Sequence, residues 1–210
     1  MGAVLSLCTL VIVGLVFFVV PPAEGLGYYV RIAFFHIPVA WVAVIAFFVG
    51  AFQGGKYLRS GILAADAKSA AAAQLGFIFV ILATVSGAIF SKLTWGAYWN
   101  WDPRQTTIFI LLLIYGAYLT LRGAMPAGHK RAKTAAVYAL FSFLTVPFLV
   151  FILPRLYFSL HPSPVINGTG LAMDPLMLAV LLAALVDMTG IFYWLWRRQS
   201  FRLMHEGERL

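Results

Sequence analysis

The chain has 210 residues, 62% of them hydrophobic and 10% charged, with a mean hydropathy of +0.92 and a formal net charge of +8. Soluble domains carry about 25% charged residues, so this composition excludes an ordinary soluble enzyme and describes an integral membrane protein. The positive charge does not point to nucleic acid, because the basic residues are sorted to one side of the apolar stretches.

A helix needs about 20 apolar residues to cross the hydrocarbon core. Six stretches qualify in chain order: Ala3–Val20, Arg31–Phe52, Ala71–Phe90, Thr106–Leu121, Thr134–Leu153 and Pro175–Trp196. The predicted fold is all-α, a six-transmembrane helix bundle with no soluble domain left over. Eleven of the fifteen Lys and Arg residues fall in the 53–70 and 122–133 loops and after Trp196, and four, Arg31, Lys92, Arg104 and Arg155, fall on the other side. The positive-inside rule makes the first side cytoplasmic. Both termini are then cytoplasmic, and the loops around 21–30, 92–105 and 155–174 face outward.

The first stretch lacks the positively charged leader of a signal peptide, so it reads as a span; its lone Cys8 reads as a small core residue, and one cysteine excludes a disulfide framework. In the second, His36 lies about 7.5 Å along the helix from Arg31, near the outer end. Pro38 there and Pro147 in the fifth are expected to kink their helices, and Ala40 and Ala43 allow close packing. The Ala-rich 64–73 segment is expected to extend the third helix into the cytoplasm. The fourth and sixth spans open on Asp102-Pro103 and Asp174-Pro175, the N-cap and first-turn residues a helix start favours. For Asp102, capping and a site role are compatible. His161, before Pro162, is biased to an extended turn. Asn167-Gly168-Thr169 matches a glycosylation sequon, but its glycines favour a plain turn. Asp187 lies well inside the sixth span, where a carboxylate is costly; pairing with a hydroxyl or an arginine and proton relay both fit it.

The outer loop between the third and fourth spans carries the densest chemistry: Trp95-Gly96-Ala97-Tyr98-Trp99-Asn100-Trp101-Asp102-Pro103-Arg104. Interfacial Trp and Tyr usually scatter singly around a protein as a belt. Trp95, Tyr98, Trp99 and Trp101 so closely spaced, followed by a carboxylate and a guanidinium, suit a large planar apolar ligand with acid groups. Of four histidines, His129 and His205 sit among cytoplasmic basic residues and read as a solvated or headgroup face. His36 and His161 share the outer side at similar depth. Either alone reads as an interfacial hydrogen-bonding residue. Together with the Trp run they read as axial ligands to heme iron, with Arg31 and Arg104 as propionate partners or, alternatively, snorkelling to headgroups. The chain has no Walker A sequence, no C-x-x-C-H for covalent heme and no H-E-x-x-H.

The segment W-G-x-x-W-x-W-D resembles the signature of the heme-handling WWD family of cytochrome c biogenesis. Six spans, one such loop and a histidine in each flanking outer region most resemble its heme exporter protein C branch (cytochrome c maturation protein C), and Tyr29-Val30-Arg31 through His36-Ile37-Pro38 is similar to that branch's second span. The likeness covers essentially the whole chain. Trp101 through Thr106 also resembles the larger cytochrome c synthase subunits, which have more spans and extra histidines that this chain lacks.

The resemblance implies a single heme-handling membrane domain over residues 1–210, with its outer WWD loop at 92–106. It implies heme b held outside a bacterial inner membrane by His36 and His161, Trp95, Trp99 and Trp101 lining the macrocycle, Asp102 organising the loop, and Arg31 and Arg104 at the propionates. The implied role is transport rather than catalysis. Heme would pass to a periplasmic heme chaperone (cytochrome c maturation protein E). The implied partners are the ABC ATPase and membrane subunits (proteins A and B), the small subunit (protein D) and membrane lipids. Whether heme is moved across or only collected outside stays open. The competing readings are a cytochrome c synthase component, a membrane b-type cytochrome, and a secondary transporter using Asp187.

Overall fold

The computed structural model describes residues 1–161, 166–167, 170–171 and 173–207. Helix α1 is Gly2–Phe18, α2 Ala33–Ser60, α3 Leu63–Trp95, α4 Pro103–Ala124 and α5 His129–Pro147. A π-helical stretch, Phe148–Ile152, joins α5 to the short α6, Leu153–Leu156, and α7 is Pro175–Gly207. The chain is an all-helical membrane bundle. Five helical stretches are long and apolar enough to cross a membrane, and α1, at 17 residues, is a shorter apolar helix at the lower end of spanning length.

The helices outrun the predicted spans at the ends that carry most of the basic residues. α2 continues past Phe52 to Ser60, α3 starts at Leu63 rather than Ala71, and α7 runs on to Gly207. Hydropathy measures what lies in lipid, whereas Ala, Lys, Arg and Gln keep a backbone helical well beyond it. The Ala-rich segment is therefore helical, as expected. Two chain reversals of a few residues, at 61–62 and 125–128, close the cytoplasmic end, and longer connections close the outer end.

α2 is the central helix, packed on α3, α5 and α7. Its seam with α3 is built from small residues: Ala46 and Gly50 face Ala72, Ala73 and Gly76. A Cβ on Gly76 would come within 2.5 Å of the Phe47 ring, so that position requires glycine. Without a hydrophobic drive between helices in lipid, such close backbone approach supplies the packing energy. Phe47 in turn stacks on Tyr115 with ring centroids 3.4 Å apart.

α2 stays helical through the buried Pro38, whereas α5 gives way to the π-helical stretch directly after Pro147. Cys8 is exposed on α1, not in the core as its residue type suggests, because α1 packs mainly on α7 and leaves most of its surface to lipid. Asp187 receives the Thr9 hydroxyl at 2.7 Å, the hydroxyl pairing weighed from sequence. Ile166–Asn167 pairs antiparallel with Gly170–Leu171. The sequon's Gly168 and Thr169, like Pro162, lie outside the described residues.

Candidate heme site

Four elements meet at the outer end: the first turns of α2, the C-terminal half of α3, the Trp-rich loop with the start of α4, and the chain after α6. Asp102 ties the last two together. Its Oδ1 accepts the Arg104 backbone N–H at 2.9 Å, the N-cap bond of α4. Its Oδ2 accepts the Ser159 hydroxyl at 2.9 Å and the Leu160 N–H at 2.7 Å. Cap and loop organiser are thus one side chain. Burial pushes the Asp102 carboxyl up, but the donors from Arg104, Leu160 and Ser159 more than offset this and hold it below the usual range.

His161 Nδ1 lies 2.9 Å from Asp102 Oδ1. The approach is oblique, an electrostatic contact rather than a straight hydrogen bond. An ionised carboxylate only accepts, so the proton of a neutral His161 belongs on Nδ1 and the lone pair on Nε2. His36 reaches the same state by another route. Its Nδ1 is 3.0 Å from Ser86 Oγ, and that hydroxyl already has the Leu82 carbonyl at 2.7 Å for its own proton. The hydrogen-bond network therefore puts the His36 proton on Nδ1 and again leaves Nε2 open. Orientation through the second ring nitrogen is how metal-ligating histidines are normally held. Burial lowers the His161 pKa below the ordinary 6.5; Asp102 opposes and Arg104 reinforces that shift. The ring is neutral at pH 7 and competent to donate.

The two histidines are 125 positions apart in sequence, yet His36 lies within electrostatic range of both His161 and Arg104. Gly87 makes the space for His36: a Cβ there would sit 3.0 Å from the ring's Cε1. Arg104 is also near Arg155, and Asp102 is the carboxylate that acts on it. Arg155 is itself steadied by the Phe151 carbonyl. Arg31 sits elsewhere on the same rim, its guanidinium over the rings of Tyr28 at 4.3 Å and Phe17 at 5.6 Å.

The indoles do not form one flat shelf. Trp95 packs edge-on to His161 at 5.0 Å between centroids and against Phe90. Trp99 stands perpendicular to Trp101 and edge-on to Phe109. Tyr98 is exposed, with the Lys92 ammonium 5.6 Å from its ring. Trp101 is 72% exposed and has φ 56°, a left-handed conformation costly for a bulky residue. What holds the loop is polar. Asn100 N–H donates to buried Gln105 Oε1 at 2.8 Å, Asn100 Nδ2 donates to Ser91 Oγ, and Ser91 Oγ donates to the Ala97 carbonyl.

The candidate histidines and aromatic residues were readable in the sequence, but not Ser86, Gly87, Ser91, Gln105 or Ser159, which pack against them or hold their loop. Gln105 carried a readable signal, since Asp102-x-x-Gln105 has the spacing of a capping box. Ser86-Gly87 is a pair of small residues within an apolar span, the usual mark of an interhelical contact.

A pair of imidazoles with open Nε2 atoms, a rim carrying Arg104 and Arg155, and the indoles beside them fit a planar, dianionic iron porphyrin. The family model described as heme exporter protein C matches residues 1–208. The chain belongs to the heme exporter protein C family. It is 31% identical to the heme exporter protein C of Bradyrhizobium diazoefficiens over 79% of this chain and 63% of that protein. A putative cytochrome c biosynthesis ccmC-like mitochondrial protein of Marchantia polymorpha is 27% identical over 80% of this chain and 72% of its own length. The cytochrome c biogenesis protein CcsA of Arabidopsis thaliana is 36% identical over 42% of this chain and 26% of its own. The chain thus matches just under two thirds of the length of its Bradyrhizobium relative.

Proposed function

We propose that this protein binds heme b at the outer rim of a bacterial cytoplasmic membrane, with His36 and His161 as axial ligands, and hands it to a periplasmic heme chaperone during cytochrome c maturation. The observation that carries the reading is the pair of imidazoles, drawn from α2 and from the chain after α6, with Nδ1 of His36 hydrogen-bonded to Ser86, Nδ1 of His161 facing the Asp102 carboxylate, and Nε2 open on both. Arg104, with Arg155 near it, is the propionate-facing cation that the charge pattern favours. Arg31 serves the same edge from the α1 side. Trp95 braces His161, while the exposed Trp101 and its neighbours Trp99 and Tyr98 close over the macrocycle.

The same features favour release. A porphyrin held by one helix end and one loop has an open edge, and a strained, solvent-facing indole is easily displaced. The protein therefore carries heme rather than transforming it. An ABC-type ATPase with its membrane and small subunits supplies the energy for releasing the loaded chaperone.

The test is absorbance of protein purified from heme-replete cells, with chaperone loading measured in parallel. Substoichiometric heme is expected. His36→Ala and His161→Ala each weaken the Soret band, and the double variant abolishes it. Full bands and full chaperone loading in both single variants would end the axial assignment.

A further inference from the structure

The cytoplasmic part of α7 carries a site of a different kind. Between it and the start of α3 lies a cleft of about 480 Å³ walled by Lys68, Tyr193, Trp196, Arg197, Ser200 and Phe201. A second cleft of about 590 Å³ adjoins it, with Trp194, Arg198 and Arg202 on its walls. Arg197 and Phe201 line both and form the ridge between them.

The walls are fixed. Trp196 Nε1 donates to the Lys68 carbonyl at 2.9 Å, and Gln199 Nε2 donates to Gln74 Oε1 at 3.0 Å, so α7 is clamped to α3 on either side of Arg197. The cations rest on aromatic rings rather than on acids. The Arg197 guanidinium lies 5.9 Å from the Tyr193 centroid and that of Arg198 4.9 Å from Trp194. Among the described residues, no carboxylate lines either cleft. Ser200 is only 3% exposed, and its Oγ, on the wall of the first cleft, has no hydrogen-bond partner. A buried hydroxyl without a partner is costly and marks a place for an acceptor. The clefts lie on the positive-inside face, at the level where Trp and Tyr mark the headgroup boundary.

We propose that these clefts bind the phosphate headgroup of an anionic phospholipid of the inner leaflet. Lys68 and Arg197 meet a phosphate, Ser200 Oγ donates to it, and the acyl chains leave toward the bilayer along Tyr193 and Trp196. The adjoining cleft with Arg198 and Arg202 suits a second phosphate, as in a diphosphatidyl lipid. Basic pockets between transmembrane helices on this side are known to recognise such headgroups. The apolar walls favour a lipid over free phosphate.

Native mass spectrometry of the full-length, delipidated protein in mild detergent tests this. The probes are cardiolipin, phosphatidylglycerol, phosphatidylethanolamine and inorganic phosphate. The two anionic lipids are expected to bind and phosphatidylethanolamine is not, with inorganic phosphate failing to displace them. Lys68→Gln with Arg197→Gln is expected to weaken binding about 10–30-fold, from the value of a charge near a membrane surface. Lys130→Gln with Lys133→Gln, which removes the same charge from the exposed start of α5, leaves binding unchanged. Arg202→Gln, at an exposed position that makes neither of the two clamp hydrogen bonds, serves if the first double variant does not fold; a loss of about threefold or more is expected from the same charge effect. Equal losses in the two double variants would overturn the proposal. So would equal binding of phosphatidylethanolamine, displacement of the lipids by inorganic phosphate, or an undiminished affinity in Arg202→Gln when only that variant folds.

Discussion

Two buried carboxylates stand at opposite ends of the bundle and are used in opposite ways. At the inner end, Asp66 on α3 takes both arms of the Arg122 guanidinium on α4, at 2.7 and 2.6 Å. The pair is closed, a bidentate fork with nothing left to offer a ligand. At the outer end, Asp102 divides its oxygens among an N-cap, a hydroxyl, a loop N–H and an imidazole. It too is buried, but one of its partners keeps a free lone pair on Nε2. A saturated ion pair locks two helices together. A carboxylate that organises a histidine passes its order on to whatever that histidine binds.

The comparison is broken most directly by exchanging the two roles. Arg122→Leu strands Asp66 without its partner and is expected to cost about 3–5 kcal/mol of stability, read as a fall in the detergent-solubilised unfolding midpoint. Asp102→Asn keeps an oxygen for the cap but turns an N–H donor onto the Leu160 N–H, and is expected to cost about 1–3 kcal/mol, less than Arg122→Leu. Its effect falls also on heme affinity, on the order of 10–100-fold, as for loss of other partners that orient a ligating histidine. Equal stability losses with unchanged heme content in Asp102→Asn would mean that the outer carboxylate is only a structural cap.

The positioning of His36 sharpens the point. Ser86→Ala removes the acceptor for its Nδ1–H, and Gly87→Ala places a methyl 3.0 Å from its Cε1. Each is expected to lower heme affinity about tenfold while leaving the unfolding midpoint close to the parent's. If Soret intensity in both variants matches the parent, His36 is not held for ligation.

Much of this architecture was legible beforehand, and the reason is lipid. A bilayer demands long apolar helices, so the spans and the grouping of His36, Trp95 and Asp102 at one end of the bundle follow from the pattern of apolar stretches. The Asp102 cap followed from Asp-Pro. What stayed hidden was the set of pairings between distant elements. Nothing near Ser86 or Ser159 says which histidine or carboxylate they meet, because those meetings depend on how α3 leans on α2 and where the chain turns after α6. The orientation of the indoles was equally hidden. Their spacing in the chain suited one large planar ligand, but a backbone at φ 56° at Trp101 turns one ring out of register with the next. Cys8 was misplaced because an apolar residue on a membrane helix is as content in lipid as in the core.

Protonation offers a finer test of the outer end. Burial, reinforced by the Arg104 charge and opposed by Asp102, keeps the His161 pKa below 6.5. With the folded-state value depressed, the neutral, ligating form is fully present above about 6.5 and is lost as pH falls through the lower folded value. Arg104→Gln removes one of the depressing influences. The pH at which the Soret band collapses on acidification is therefore expected to rise in that variant. An identical acid profile in parent and variant would show that Arg104 does not face the imidazole.

A third buried carboxylate separates ligand chemistry from membrane anchoring. Asp187, 8% exposed, accepts the Thr9 hydroxyl at 2.7 Å, while its Oδ1 has no partner. Asp187 is far from either rim, in the middle of α7, and its one described polar partner comes from α1. Thr9→Val preserves shape and removes the donor. Interhelical hydrogen bonds in membranes are worth about 0.6 kcal/mol on average and up to about 1.7, so a drop of about 1 kcal/mol is expected, small beside that of Arg122→Leu. The Soret band should be unchanged, since the bond holds α1 to α7 far below the histidines. A lost band would carry a specific meaning. Phe17 near the outer end of α1 lies beneath the Arg31 guanidinium, so heme loss on loosening α1 would place Arg31, through that ring, within the binding site and make α1 part of its wall.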